Sequence, residues 1–417
     1  MKRLTYTLDK TIGLLGRLLV RGFAYLVPRD KNLIAIGGWY GKYFIGPTKV
    51  FALYLLENSN LNIVWIGYED VLKDLPKHER LKFVKKDSWR AMLVLLRAKT
   101  WICCISIEWD LTFLPLAGTA TLINTWHSFG LKKLGIQTPK FIKSGQKMSL
   151  AGKVVKILDS QPRPWTLCPC DSDRDRLASG EPFYFSRNKF LPYGTPNNDY
   201  MILNKTNIAL QAKLRERYSA LFGFDPKSKI VLYFPTWRMT SNPLFAFYNL
   251  PSDRQMAWRK MLAERGAILI EKHHYRTFEL HPVINPSQCS IVVKPEHQSL
   301  IDVQELLLIA DMLISDYSGA YIDFGLLHRP CVHFAYDYEE YCGGDSGFYY
   351  SLADVAAGPI VREESELFAK VDEYLKSPKF EPAAKYKDIV EYETGHSCEQ
   401  LLRFIKTGLV HRNDYAA

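Results

Sequence analysis

Beyond Pro28, short apolar runs alternate with stretches of helical periodicity, and few folds accommodate this alternation. In the first half, the runs predict strands at Asn32–Ile36, Asn62–Ile66, Trp101–Ile105 and Thr121–Asn124. In the second half, they predict strands at Ile230–Phe234, Ala267–Ile270, Ser290–Val293, Met312–Ser315 and Cys331–Phe334. Helices are predicted at Thr48–Asn58, Ser88–Lys99, Arg254–Glu264 and Asp302–Ala310, with Ser88 as a cap and a capping box from Ser299. The pattern indicates an α/β protein with parallel sheets.

The chain is too long for one hydrophobic core, since its 417 residues exceed the roughly 250–300 at which single cores stop growing. A turn-rich segment at 192–199 marks the boundary between two domains. We predict one Rossmann-like domain over 29–195, a second over 196–380, and a helical tail over 381–417. The two doubly wound sheets should face each other across a cleft, with ligands beyond the carboxyl ends of the strands.

Lysine and arginine exceed aspartate and glutamate by 10, so the surface field favours an anionic partner. Nucleic acid, an acidic membrane face and a phosphorylated substrate all fit this charge, but no nucleic-acid-binding motif occurs and we predict no nucleic-acid partner. The chain has 8 cysteines, which is no disulfide framework at this length. Cys168 and Cys170 lack a second ligand pair at zinc spacing, so no metal site is predicted.

The first 28 residues form an apolar band that Arg17 and Arg21 interrupt. No window of about 18 uncharged apolar residues occurs, so the segment should not span a bilayer. It also lacks the pattern of a cleaved signal peptide. We predict that residues 1–28 form an amphipathic helix on an anionic membrane face. A helix packed on the following domain gives the same periodicity and remains the alternative.

His127 follows the predicted strand Thr121–Asn124 and precedes Lys132 and Lys133. Imidazole titrates near neutral pH, so a histidine at a strand end is a candidate general base, and the lysines are candidates to hold phosphate. The alternative is a structural histidine packed beside Trp126.

Two strand ends in the second half concentrate cationic and hydrogen-bonding groups. Thr236 and Arg238 follow one strand, and Lys272, His273 and His274 follow the next. A diphosphate would fit there. A solvated loop is the alternative for the paired histidines, and metal binding is disfavoured because adjacent histidines point in different directions.

The segment 311–324 predicts a strand, a short turn and a helix start. Ser318 is placed as an N-cap, and the free amides of a first helical turn would bind an anion. A plain turn with a good cap is the alternative. The D-x-D string at 171–173 lies in a polar stretch and is interpreted as a solvated helix start, not as a metal clamp.

Four blocks stand in one order along the chain: Trp126-His127, 235–238, Lys272-x-His274 and 315–318. With these blocks, the sequence resembles the CDP-glycerol glycerophosphotransferase family of teichoic-acid and capsule synthesis. The resemblance continues through Asp323-Phe324, Arg329-Pro330 and 336–341, and covers roughly residues 30 to 375.

The resemblance implies a GT-B arrangement, with the acceptor side on the domain over 29–195 and the donor on the domain over 196–380. It also implies monotopic association with the cytoplasmic face of the cell membrane. The implied reaction is transfer of glycerol phosphate from CDP-glycerol to a hydroxyl of a lipid-linked or glycan acceptor. CMP would leave, and no cofactor or metal would be required. It makes His127 the proposed base and His274 a second catalytic candidate. The implied substrate-binding residues are Lys132, Lys133, Thr236, Arg238, Lys272, Ser315, Asp316, Ser318 and Asp323.

Three residues depart from the family pattern. Ser128 replaces a glycine, Gly130 a proline, and Asn197 an arginine. These changes leave the polyol and the acceptor open. CDP-ribitol phosphotransfer, a GT-B glycosyltransferase that uses a nucleotide sugar, and a basic peripheral membrane protein without enzymatic activity remain alternatives, and the sequence indicates no oligomeric state.

Overall fold

The computed structural model describes residues 2–127, 129–144, 161–180, 182, 184–238, 245–280, 285–343 and 347–410. Two parallel sheets make up its framework. The strands of the first sheet are β1 (Asp30–Ile36), β2 (Asn62–Gly67), β3 (Leu81–Lys85), β4 (Ala98–Cys103), β5 (Thr121–Asn124), β6 (Trp165–Leu167) and β7 (Phe190–Leu191). Those of the second are β8 (Lys229–Phe234), β9 (Ala267–Glu271), β10 (Ile291–Val292), β11 (Met312–Ser315), β12 (Cys331–Phe334) and β13 (Ile360–Val361).

Both sheets have the doubly wound order. The first runs β3-β2-β1-β4-β5-β6-β7 and the second β10-β9-β8-β11-β12-β13. The strand order reverses between β1 and β4 in the first sheet and between β8 and β11 in the second, and the crevice beyond such a reversal is where ligands bind. The α/β prediction is therefore confirmed, and the carboxyl ends of these four strands locate the candidate site.

The helices of the first part of the chain are α1 (Lys2–Leu26), α2 (Gly46–Asn58), α3 (Trp89–Arg97), α4 (Ile107–Asp110), α5 (Pro139–Lys143), α6 (Asp171–Gly180), α7 (Pro196–Asn204) and α8 (Ile208–Phe222). Those that follow are α9 (Ser252–Glu264), α10 (Tyr275–Leu280), α11 (Val303–Ile309), α12 (Ala320–Gly325), α13 (Tyr338–Gly343), α14 (Leu352–Val355), α15 (Glu364–Lys376), α16 (Tyr386–Ile389) and α17 (Ser397–Thr407). None of the helices in the described ranges combines the length and apolarity needed to cross a membrane.

Side chains fix several of these helix starts. Ser88 Oγ accepts from Ala91 N at 3.2 Å and caps α3, as predicted. The helix predicted at Asp302–Ala310 is present as α11, but its N-cap is Asp302, whose Oδ1 accepts from Gln304 N at 3.1 Å. An aspartate at this position satisfies an otherwise unpaired amide directly, so no capping box from Ser299 is needed.

The last helix returns to the first sheet. Cys398, Leu401 and Phe404 of α17 are buried in one hydrophobic cluster with residues of β1 and β2. Asp199 holds the start of α17, since its carboxylate accepts from Ser397 N at 2.9 Å and from Cys398 N at 2.7 Å. α17 is thus part of the core of the first unit, which is the part of the chain built on the first sheet. Tyr386 and Ile389 of α16 are instead buried with residues of the second unit, which is built on the second sheet.

Backbone hydrogen bonds join the two units directly. Lys132 and Phe348 form an antiparallel bridge. Lys133 N donates to Gly347 O at 3.1 Å, and Tyr349 N donates to Leu131 O at 2.8 Å. The loop after β5 is therefore held against the second unit.

Candidate active site

His127 lies beyond β5, and its ring contacts residues that follow β4 and β1, the two strands between which the first sheet reverses. Its Nδ1 is 3.0 Å from Cys104 O, so Nδ1 carries the proton and donates it to this carbonyl. The structure shows no partner for Nε2 among the described residues. Nε2 therefore keeps a lone pair available to accept a proton.

The backbone around His127 is strained. Trp39 and Trp126 have φ values of 49° and 55°, which bulky residues rarely adopt. Their rings lie 5.8 and 4.5 Å from the His127 ring, measured between centroids. Such strain persists only where surrounding structure enforces it, and it is concentrated at functional sites. No sequence signal identified Trp39, which comes from the loop after β1.

The His127 imidazole is neutral at neutral pH. Burial lowers the pKa of His127 below its usual value, and the nearby positive charge of Arg176 lowers it further, against the opposing hydrogen bond to Cys104 O. A neutral imidazole with one nitrogen open is the form that a general base requires.

The loop after His127 carries the two predicted lysines. Lys132 Nζ lies 5.3 Å above the centroid of the Tyr341 ring, and burial lowers the pKa of Lys132 to about 8. Asp316 and Arg238 act on this pKa in opposite directions, which places Lys132 near the second unit's site. Lys133 is fixed through its backbone bond to Gly347.

Gly130 of this loop lies under Arg176. A Cβ at Gly130 would be 2.8 Å from Arg176 Nη1, so a side chain there requires the guanidinium to move. Arg176 is itself buried and paired with the buried carboxylate of Asp173. The interpretation of 171–173 as a solvated helix start was therefore wrong for Asp173, because a charge three residues on in α6 neutralises it inside the protein. Ser128 lies outside the described residues.

Thr236, Arg238 and Asp316 meet where the second sheet reverses. The Asp316 carboxylate accepts from Thr236 N at 2.9 Å and from Arg238 Nη1 at 2.5 Å. Burial alone would raise the pKa of Asp316, but the charge of Arg238 and the hydrogen bonds outweigh it, and the pKa is lowered. Asp316 is thus a buried, ionised carboxylate that ties the ends of β8 and β11 together.

Arg238 is fully engaged by two carboxylates. Its Nε and Nη2 donate to the two Asp337 oxygens at 2.9 and 2.8 Å. The guanidinium also lies 5.1–5.5 Å from the ring centroids of Tyr317, Tyr336 and Tyr341. With its donors directed at Asp316, Asp337 and the Thr236 carbonyl, this side chain positions the loops after β8 and β11.

The turn after Asp316 offers backbone donors. Ser318 caps the start of α12 as predicted, although Gly319 is the residue that directly precedes the helix. Ser318 Oγ accepts from Ala320 N at 3.3 Å. Within the described part of the chain, the amides of Ser318 and Gly319 have no acceptor. Two adjacent open amides can donate hydrogen bonds to an anion.

Two predicted substrate-binding residues are used internally. Ser315 Oγ donates to Phe234 O at 2.7 Å and is buried. Asp323 is hydrogen-bonded by Asn198 and Gln304, and burial raises its pKa to about 7. These contacts place Asp323 at the junction of α7, α11 and α12.

The paired histidines after β9 divide between interior and surface. His273 is buried, with Nε2 3.1 Å from Glu271 Oε2. His274 is exposed, and its ring lies 5.9 Å from the Trp237 ring. Burial lowers the pKa of Lys272 to about 8. Of the two histidines, only His274 faces the surface near the loop after β8.

His333 also supports the site, although no sequence motif marked it. His333 Nδ1 donates to Asp316 O at 3.0 Å, and Nε2 accepts from Ala357 N at 3.1 Å. Burial lowers its pKa to about 4, so the ring stays neutral. Both nitrogens are occupied, and His333 holds the Asp316 turn.

The site thus has two parts. The first unit presents an open imidazole nitrogen and the half-buried Lys132, and the second presents open amides and the buried Lys272. No group of three or more potential metal ligands occurs among the described side chains.

The family model for CDP-glycerol:poly(glycerophosphate) glycerophosphotransferase matches residues 23–407. The chain is 25% identical over 392 residues to the teichoic acid glycerol-phosphate transferase of Staphylococcus aureus (strain NCTC 8325 / PS 47), an alignment that covers 90% of this chain and 93% of the relative. It is 25% identical over 385 residues to the teichoic acid poly(glycerol phosphate) polymerase of Bacillus spizizenii (strain ATCC 23059 / NRRL B-14472 / W23), covering 90% and 92%.

A solved structure shares the fold. The wall teichoic acid polymerase TagF superposes with a TM-score of 0.71 at 21% identity, over 97% of both chains. This likeness supports the α/β arrangement with parallel sheets.

Proposed function

Because the chain belongs to the CDP-glycerol:poly(glycerophosphate) glycerophosphotransferase family and is an enzyme of that transferase class, we propose that it transfers glycerol phosphate from CDP-glycerol to a hydroxyl of a membrane- or lipid-linked acceptor. The product would belong to a teichoic-acid-like or capsule polymer. The observation that carries this proposal is the open Nε2 of His127 beside the cleft, with Nδ1 fixed on Cys104 O.

The transfer is an in-line displacement at the phosphorus that carries glycerol. The acceptor oxygen forms a bond to this phosphorus, and His127 Nε2 takes the hydroxyl proton. The bond from phosphorus to the bridging oxygen breaks, and CMP leaves with the electron pair. Phosphoryl transfer depends on positioning and on neutralising spread charge, so no covalent enzyme intermediate is needed.

The second unit would hold the donor. The open amides of Ser318 and Gly319 would bind phosphate oxygens, and Lys132 and Lys272 would supply positive charge nearby. His274, which is exposed near the loop after β8, would contact the departing phosphate. These groups neutralise the developing charge, so the proposal requires no cofactor or metal.

A donor panel tests the proposal. The purified protein is incubated with CDP-glycerol, CDP-ribitol or nucleotide sugars, each with membrane-extracted acceptor, and CMP and nucleoside diphosphates are measured. Acceptor-dependent CMP release from CDP-glycerol is expected. CMP release from CDP-ribitol alone would show that the transferred polyol is ribitol and not glycerol. UDP or GDP release from a nucleotide sugar would contradict the phosphotransferase assignment.

We also propose that α1 holds the protein peripherally on the cytoplasmic membrane face. Leu15, Leu19, Phe23 and Leu26 are more than half exposed and follow one stripe of the helix. Arg17 Nη2 donates to Phe113 O at 2.8 Å, which ties the helix to the first unit. An exposed apolar stripe of this kind suits shallow insertion into the surface of a bilayer.

Replacing Leu15, Leu19 and Phe23 together with serine should weaken sedimentation with anionic vesicles by about tenfold or more, because each side chain loses apolar burial. The matched control is Leu203→Ser with Ile208→Ser, since these residues are 63% and 82% exposed and lie on α7 and α8. The control should bind vesicles like the unmodified protein. Equal vesicle binding by the unmodified protein, the α1 variant and the control would show that α1 does not contact the membrane.

A further inference from the structure

A cavity beside the base has no role in the proposed donor site. It encloses 740 Å³ and is lined by one face of α6, by the segment 185–187 and by Tyr349 and Tyr350 of the second unit. Its volume suits an extended chain segment more than a single small ion.

Three arginines line this cavity, of which Arg176 pairs with Asp173 and Arg187 with Asp175. The third is Arg163, and Asp175 is the one carboxylate among the described lining residues. Asp175 is already paired with Arg187 at 2.7 Å and with Arg174 at 2.9 Å. The guanidinium of Arg163 is exposed and has no carboxylate partner in the described ranges. Ser172, Ser179 and Ser186 add hydroxyl donors to the lining.

One wall of the cavity contacts the residue that precedes His127 in the chain. Phe185 of its wall packs edge-on against Trp126, with ring centroids 5.2 Å apart. Arg176 is close enough for its charge to act on the His127 imidazole. The loop 129–133 separates this cavity from the donor-side groups, because Arg176 approaches Gly130 on one side and Lys132 Nζ lies over Tyr341 on the other.

An in-line displacement brings the acceptor to the phosphorus from the side opposite the leaving group. The donor groups lie on the Asp316 side of the loop 129–133, so the acceptor should approach from the side of the cavity. We propose that this cavity binds a phosphodiester segment of the acceptor chain and that Arg163 and Arg187 contact its phosphates. This inference rests on the proposed function and assigns its acceptor subsite.

The test uses a synthetic glycerol phosphate oligomer with a free terminal hydroxyl and measures its binding to the full chain by calorimetry. Arg163→Gln and Arg187→Gln should each weaken binding by about five- to tenfold, because each removes a charge-assisted contact. CDP-glycerol affinity should stay unchanged. Since both arginines are exposed, the unfolding temperature should also stay near that of the unmodified protein.

Arg259→Gln is the matched control, because Arg259 is exposed on α9, away from the cavity lining. Unchanged oligomer affinity in the Arg163 and Arg187 variants, or an equal loss in the control, would overturn the inference. Inorganic phosphate that binds as tightly as the oligomer would also overturn it, because the cavity would then recognise one anion and no chain.

Acceptor kinetics separate this inference from the proposed function. In the Arg163→Gln variant, the KM for the oligomer should rise while the KM for CDP-glycerol stays constant. If the unmodified protein releases no CMP from CDP-glycerol, the proposed function fails by itself, and oligomer binding still reports on the cavity. If transfer occurs and the variants bind the oligomer normally, only the cavity assignment fails.

Discussion

Replacing His127 with alanine should lower the rate of glycerol phosphate transfer by about 10²–10⁴-fold, the usual contribution of a positioned general base. The structure gives this residue an anchored Nδ1 and an open Nε2. CDP-glycerol affinity should remain near that of the unmodified protein, since the groups proposed to hold the donor lie on the second unit. The measurements are kcat for acceptor-dependent CMP release and the donor Kd.

Two further variants separate base catalysis from packing. His127→Asn keeps an N–H that can reach Cys104 O but has no basic nitrogen, so it should lose nearly as much activity as alanine. His78→Ala is the matched control, because His78 is exposed in the segment before β3, and its activity should be normal. Near-normal transfer by His127→Ala with unchanged donor binding would show that another group takes the proton.

The pH profile gives a second readout of the same prediction. Burial lowers the pKa of His127 below 6.5, so its Nε2 stays unprotonated as the pH falls from 7 toward 6.5. The rate should therefore hold through this range and fall only at lower pH, where protonation removes the base. The residual rate of His127→Asn should lack this acidic limb. An acidic limb shared by both proteins would belong to another group.

The pattern of apolar residues predicted the strands correctly where these strands are apolar and buried. Thr121–Asn124, Met312–Ser315 and Cys331–Phe334 have the predicted bounds. The same pattern did not predict β3, where charged residues are mixed with apolar ones at a sheet edge. It also did not predict β6, β7 and β13, which have only two or three residues. β4 begins at Ala98 and ends at Cys103, earlier than predicted, because the residues beyond it turn toward α4. Short strands gain their pairing from neighbours that local sequence does not reveal.

For the candidate site, too, the sequence located residues from local patterns but not their partners that are distant in the chain. Residues at strand ends were located from sequence because parallel strands place their carboxyl ends along one edge. The hydrogen-bond partners of those residues could not be located from the sequence, since Asp337 lies 99 positions from Arg238 and Cys104 lies 23 positions from His127. His333 was missed because it lies within an apolar strand and carries no motif.

Replacing Arg238 with methionine should destabilise the protein by about 3–5 kcal/mol, because Asp316 and Asp337 would lose their shared cation. Asp316 has no exposed surface, and the Arg238 side chain is 6% exposed. The guanidinium bonds the carboxylates at 2.5 and 2.8 Å, and both would be left without a charge partner. The unfolding free energy from urea titration gives the measurement, and donor affinity should fall with it as the Asp316 turn loosens.

Burial, and not ion pairing as such, sets the size of this effect. Arg254→Met is the matched control, because Arg254 also bonds one carboxylate through Nε and Nη2, but the side chains of Arg254 and Glu364 are 35% and 20% exposed. Its loss should cost only about 0–1 kcal/mol. Arg238→Lys should lie between the two, since an ammonium keeps the charge but cannot bridge Asp316 and Asp337 with the planar geometry of guanidinium. If Arg238→Met were as stable as Arg254→Met, the two carboxylates would be satisfied without Arg238, and the coupling of the β8 and β11 ends would have another source.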